Sequence, residues 1–393
     1  MSATSPVLHC NFNYPVRYRL GAGRASELAS LALERGMKRP LIVTDRGIMT
    51  LDWFERLVRT LEEAGLEPVV FGSVRPNPLA EDVDAGVQLY RGEECHGVIL
   101  IGGGSAIDVG KCVALLAHND GSVFDYEDVG DNYKRADAAK IAPMIALPTT
   151  SGTGSEVGRA SVIINEHHEK KIIFHPQMQP PDVIADPELT IGLPPHLTAY
   201  TGVDAYVHCF EAYCAQGYHP MADGIALEGM RLIKDYLPQA VACGTDIQAR
   251  THMILASSMG ATAFQKGLGV VHAISHAIGG KLNGHHGLLN AILLPYCMVF
   301  NRVAIDERCT VIARHLGLVD PSFNSLLEWT LTLRRDLGVP HTLQAIKGMS
   351  EDNAREFAPL ALGDAALSGN PRQANAHDLE EIMRSALAGR LLM

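Results

Sequence analysis

The sequence predicts a fold in two parts, an α/β half built on a mainly parallel sheet and then an all-helical half. Three observations predict it. Short β-like runs alternate with helical runs through the first half. Several of those runs end in loops dense in glycine or hydroxyl residues, where parallel sheets bind ligands. Near Asp186-Pro187 the texture changes, and from Pro194 onward long stretches rich in Ala, Leu and Met run at helical period with few β-branched clusters.

Taken in order, Pro40–Asp45 (PLIVTD) reads as a buried strand, and Trp53 to Ala64 has helical spacing that Gly65 stops. Glu67 to Phe71 is a second strand and Asp82 to Arg91 a helix. Gly97 to Ile101 is a third strand, running into Gly102-Gly103-Gly104-Ser105 and a helix from Ile107 to Ala117. Ala142 to Leu147 is a fourth strand, followed by the loop Pro148 to Ser155. Strand, loop and helix in repetition mean a parallel sheet covered on both faces. The boundary falls around 185–195, which divides the chain into 1–190 and 191–393; Asn370-Pro371 is a loop before a last helix.

The 393 residues allow two ordinary domains, and 47% hydrophobic with 20% charged residues is the mix of a folded protein. The net charge of −11 argues against non-specific nucleic-acid binding, which needs Lys and Arg on phosphates. The eight cysteines are scattered without a C-x-x-C pair and are expected as reduced thiols. No signal peptide or transmembrane helix is expected, which makes a cytoplasmic location the expectation.

Gly102-Gly103-Gly104-Ser105 follows a strand and precedes a helix, so the backbone can approach an anion held at the helix N-terminus. Thr149-Thr150-Ser151-Gly152-Thr153-Gly154-Ser155-Glu156 repeats that arrangement at the next strand end. Either loop alone is often a tight connection; the two together look like a nucleotide cradle. Asp45, at the end of its strand, suits ribose hydroxyls and would repel a 2′-phosphate, favouring NAD over NADP; a solvated loop aspartate reads the same way. The spacing is not G-x-G-x-x-G.

In the helical half, Asp204 and His208 stand at i, i+4, as do His272 and His276, and His285-His286 sits between Gly284 and Gly287. One carboxylate and three imidazoles make a site for Fe(II), Zn(II) or a similar ion. With 17 histidines two such pairs also arise by chance, so spacing leaves a structural reading standing.

Together these residues resemble the iron-containing (group III) alcohol dehydrogenases. The resemblance rests on IGGGSAIDVGK at 101–111, PTTSGTGSEV at 148–157, TGVDAYVHCFEAY at 201–213, GLGVVHAISHAIGG at 267–280, HHGLLNAILLPY at 285–296 and the Asn-Pro-Arg turn at 370–372. It implies a dehydroquinate synthase-like fold, in which an N-terminal Rossmann-like dinucleotide-binding domain and a C-terminal helical metal-binding domain enclose a cleft. It also implies that Asp204, His208, His272 and His286 are the metal ligands, with His286 chosen over His285 because it directly precedes Gly287. Cofactor contacts are implied at Asp45, Asn77, Gly103, Gly104, Ser105, Asp108, Thr149, Thr153, Val162, Lys171, Leu193 and Leu197. His276 falls near the nicotinamide and is the expected proton relay, with Asp108 as a helper.

The implied activity is hydride transfer between a primary alcohol, or its aldehyde, and NAD(H), with Fe(II) and alternatively Zn(II) as a Lewis acid, in a homodimer or larger homo-oligomer. Arg159 and Lys266 are candidates to recognise an anionic substrate group, with a solvated or paired role as the plainer reading. The rivals are a metal-free maleylacetate reductase-like enzyme, which would depart from the four ligands, a metallohydrolase, for which no H-E-x-x-H base is present, and a non-catalytic binding protein.

Overall fold

A computed structural model describes residues 16–391. Its larger sheet has six strands: β1 (Arg17–Leu20), β2 (Pro40–Asp45), β3 (Val69–Val74), β4 (Gly97–Gly102), β5 (Met144–Pro148) and β8 (Asp182–Ala185). Their order is β1-β8-β5-β4-β2-β3, all pairs parallel. The chain runs from β2 out to β3 and returns to β4 on the other side of β2, so the strand order reverses there. Such a reversal opens a crevice at the C-terminal strand ends, and Asp45 and the Gly102 loop both lie at it. A hairpin of β6 (Ala160–Ile164) and β7 (Lys170–Phe174) stands apart as an antiparallel pair.

Alternation divides the sheet residues between two cores. Leu41, Val43, Val98 and Leu100 pack on one face, against the helices Ala80–Gly92 and Gly104–Leu116. Ile42, Ile99, Ile101, Ile145, Leu147 and Ile184 pack on the other, against Leu28–Glu34 and Asp52–Glu63. Central strands with two covered faces read as unbroken apolar runs, which makes β4 and β5 legible in sequence.

β1 and β8 are additional to the strands expected. β1 reads Arg-Tyr-Arg-Leu, and its arginines hide it from a hydrophobicity pattern. They serve Asp182 of β8, whose side chain is fully buried and accepts from Arg17 (2.9 Å), Arg19 (2.9 Å) and Arg35 (2.6 Å). β3 begins two residues after its expected start and runs on to Val74, and Gly72 lets Met49 lie against it; a Cβ at Gly72 would sit 1.7 Å from the Met49 sulfur.

Burial alone would raise the Asp182 carboxyl pKa, and the arginine hydrogen bonds outweigh it and hold it below the ordinary value. Its stabilising contribution is therefore complete above about 3.9, the unfolded value, and is lost as pH falls through the lower folded one. Asp182→Asn is expected to lower stability at pH 7 by about 2–4 kcal/mol, limited by the solvent exposure of the arginines. Urea unfolding at pH 7 and at decreasing pH checks both points: the variant's stability should fall less steeply below pH 4 than the parent's.

The second half is helical, from Pro195–Cys214 to Ala376–Ala388, around its own core. The helix His286–His315 is long and apolar enough to cross a membrane, but 67% of that window is buried within the fold, so it is packed as a core helix. Asn370, expected simply as a loop residue, is buried. Its Oδ1 accepts from the Val270 N–H (3.1 Å) and Asn301 Nδ2 (3.0 Å), pinning the start of the helix Val270–Leu282.

Candidate metal and cofactor site

Asp204 and His208 project from one face of the helix Pro195–Cys214, His272 from Val270–Leu282, and His286 from the first position of His286–His315. One ligand atom from each lies within 4.8 Å of the others. The Asp204 Oδ1 is 3.9 Å from His208 Nε2 and 3.7 Å from His286 Nε2. Gly287 makes this approach possible, because a Cβ there would meet the Tyr200 carbonyl oxygen at 2.7 Å. His285 is the helix cap: its Nδ1 accepts from the Leu288 N–H and its ring lies edge-on to Tyr200.

The outer nitrogen of each ligand histidine is held by the protein, which fixes the tautomer. His272 Nδ1 donates to Glu211 Oε2 (2.6 Å), and His208 Nδ1 to the Gly152 carbonyl (3.2 Å). His286 Nδ1 donates to Ser275 Oγ (3.4 Å), whose own proton goes to the His272 carbonyl. Each Nε2 therefore turns a lone pair inward. Burial pushes His208 down to about 4 and His286 well below its ordinary value, so both imidazoles are neutral at pH 7. Opposite this set of acceptors stands one donor, Asn290 Nδ2, at 2.6 Å from Asp204 Oδ1, 3.2 Å from His272 Nε2 and 3.1 Å from His286 Nε2. Its own Oδ1 is buried without a hydrogen-bond partner among the described residues. Four electron-pair donors turned on one point fit a divalent cation.

Glu211 was not foreseen, although it lies one turn beyond His208 on the same helix face. Besides His272 it accepts from the N–H groups of Gly269 (3.0 Å) and Val271 (2.7 Å), so it also caps the helix that carries His272. Asp364 was not foreseen either. Its Oδ2 lies 3.0 Å from His276 Nδ1, which leaves His276 Nε2 toward the cavity.

Two connected cavities meet at His286. The larger, about 1110 Å³, is lined by Asp45, Asn77, Gly103, Gly104, Ser105, Thr149, Thr153, Leu193 and Leu197 and reaches Asp204. The smaller, about 310 Å³, is lined by Asp108, Val162, His208, His272 and His276. Gly104 opens the helix Gly104–Leu116 against the hydroxyl loop, where a Cβ would meet Thr153 Cγ2 at 2.7 Å. Asp45 Oδ1 accepts from Gly47 and Ile48 N–H, and its Oδ2 remains toward Gly102. Asn77 bridges the two halves through Asn283 (2.7 Å).

Two expected residues change role. Lys171 is on the wrong face of β7: alternation sends it to Glu127 (3.6 Å) and Glu169 (3.3 Å), while Lys170, Ile172 and Phe174 line the cavity. Asp108 lines the cavity, but its oxygens accept from Ser155 Oγ (2.5 Å) and Val162 N–H (2.9 Å), with Lys111 Nζ at 3.4 Å. It braces the hydroxyl loop against β6. Of the two candidate anion-binding residues, Lys266 is committed elsewhere, to Asp223 (2.6 Å) and the Tyr213 carbonyl (3.0 Å).

The family description "Iron-containing alcohol dehydrogenase" matches residues 15–187, and that family's C-terminal domain matches 198–387. The chain belongs to the iron-containing alcohol dehydrogenase family. It is 38% identical to a 4-hydroxybutyrate dehydrogenase of Cupriavidus necator over 384 residues, 95% of this chain and 99% of that one. It is 35% identical to an NAD-dependent methanol dehydrogenase of Bacillus methanolicus, covering 96% and 100%. Among solved structures, a 1,3-propanediol oxidoreductase superposes with a TM-score of 0.89 at 33% identity, over 96% of this chain and 99% of that one. As a member of this family, the chain is an NAD-dependent alcohol dehydrogenase that uses a divalent metal and acts on small alcohols or aldehydes.

Proposed function

We propose that Asp204, His208, His272 and His286 hold Fe(II), and that hydride passes between a primary alcohol carbon and NAD in the cavity beside them. The observation that carries this reading is the fixed tautomer of all three imidazoles, each with Nε2 turned toward Asp204. Zn(II) suits the same donors. When bound, the cation supplies Lewis-acid polarisation of the substrate oxygen and the nicotinamide supplies the hydride acceptor.

The protein's residues do the rest. Gly103, Gly104 and Ser105, at a helix N-terminus, receive the pyrophosphate. Asp45 takes the adenosine ribose; Asn77, Thr149, Thr153, Leu193 and Leu197 line the remaining cofactor path. Val162 and Lys170 face the nicotinamide end. His276 accepts the hydroxyl proton at Nε2, and Asp364 holds its Nδ1 proton and stabilises the imidazolium that forms. The four intact ligands favour this reading over a metal-free reductase. A hydrolase would need a free carboxylate base beside the ligands, and among the described residues Asp108 and Asp364 are both committed. The reading carries with it a cytoplasmic homodimer or larger homo-oligomer and the domain division 1–190 and 191–393.

The test is NADH formation from a series of primary alcohols after anaerobic loading with Fe(II), alongside elemental analysis. No NADH from any alcohol, or full activity without metal, overturns the proposal. Asp45→Gly is expected to raise the NADP-to-NAD ratio of kcat/KM by at least ~10-fold, by removing a charge that repels the 2′-phosphate. An unchanged ratio would take Asp45 out of the ribose site.

A further inference from the structure

The smaller cavity is walled largely by apolar side chains, yet two cations line it, Lys170 and Arg159. Neither side chain makes a hydrogen bond or an ion pair within 4.0 Å among the described residues. A charge on an apolar wall is costly unless an opposite charge reaches it. Lys170 has such company, since it senses Asp204, Asp364 and Asp108 around it. Arg159 is partly buried, and the exposed Asp128 lies near enough to feel its charge but forms no ion pair with it within 4.0 Å. Its guanidinium is held over the Phe174 ring, 5.5 Å from the centroid, and Phe174 is itself part of the cavity wall. A cation–π contact of this kind steadies a guanidinium while leaving its N–H groups free to bind.

We propose that Arg159 is a specificity residue that receives a carboxylate at the end of the substrate remote from the reacting oxygen. Preferred substrates are then short ω-hydroxy acids and the corresponding aldehyde acids, each held at one end by the metal site and at the other by the arginine. A carboxylate matches the planar fork with two parallel hydrogen bonds, which a neutral alcohol terminus cannot do. This rests on the alcohol dehydrogenase reading of the same cavity, and the experiment below separates the two.

The test compares kcat/KM, with NAD and Fe(II)-loaded enzyme, for length-matched pairs: 3-hydroxypropionate with 1-propanol, 4-hydroxybutyrate with 1-butanol and 5-hydroxypentanoate with 1-pentanol. The ratio of acid to alcohol within a pair cancels any general loss of activity. In the parent the ratio should exceed one for at least one length. In Arg159→Gln it should fall by ~10-fold or more at that length, mainly through KM, because a charge-assisted bidentate contact is lost. Arg159→Lys, which keeps the charge without the fork, should give an intermediate ratio, and it carries the comparison should the glutamine variant misfold. A parent ratio below one at every length, or an unchanged ratio in the folded variants while alcohols are still oxidised, overturns the assignment of Arg159 and leaves the dehydrogenase reading standing. Failure of the parent to reduce NAD with any alcohol or hydroxy acid overturns that reading, and this inference with it.

Discussion

His272→Ala is expected to abolish metal retention and to lower kcat/KM by at least ~10³-fold, several kcal/mol of lost charge stabilisation. The loss should be specific to the site. Glu211, which loses its imidazole partner, keeps the N–H groups of Gly269 and Val271, so no buried carboxylate is left bare and the helix Val270–Leu282 keeps its cap. Far-ultraviolet circular dichroism should therefore match the parent, while elemental analysis of protein loaded anaerobically shows less than one-tenth of the parent's metal. A variant that is fully active and free of metal would remove these four residues from the chemistry. A variant that keeps its metal would remove His272 alone from the ligand set.

His276→Ala is expected to behave differently: metal is retained and kcat falls by about 10²- to 10⁴-fold, the range for loss of a positioned proton acceptor. The argument is geometric. His276 stands one turn after His272, its Nδ1 is held by Asp364, and its ring lies parallel to that of His286 at 5.4 Å. It thus reaches the cavity beside the ligands without pointing at their common centre. Asp364→Asn should reproduce part of the effect, since an amide no longer stabilises an imidazolium and leaves the tautomer unfixed. Retained metal with unaltered kcat in His276→Ala would place the relay elsewhere; loss of metal would make His276 part of the ligand set.

The sequence carried a large share of this site because several of its signals are local. An i, i+4 pair such as Asp204 and His208 shares a helix face whatever surrounds it. Gly102 to Ser105 and Thr149 to Ser155 follow short apolar runs whose length and flanking glycines and prolines mark buried strands, so their place at strand ends was legible too. The edge strand β1 was not, because its arginines pair with Asp182, 165 and 163 residues away, and no window around Arg17 contains that reason.

By itself, then, the sequence determined the two-part fold, the glycine- and hydroxyl-rich loops at the strand ends and the residue types that can hold a cation. Tertiary structure alone decided how those residues are held. Glu211 reaches His272 across 61 residues and Asp364 reaches His276 across 88, and these contacts choose which nitrogen of each ring faces the cavity. It also decided between neighbours, turning Lys170 inward and Lys171 outward by the register of β7 on β6, and giving His286 to the site and His285 to the helix cap. The physical reason is the same in each case. Local periodicity fixes which face of a helix or strand a side chain occupies, but only packing between distant elements fixes what that face meets.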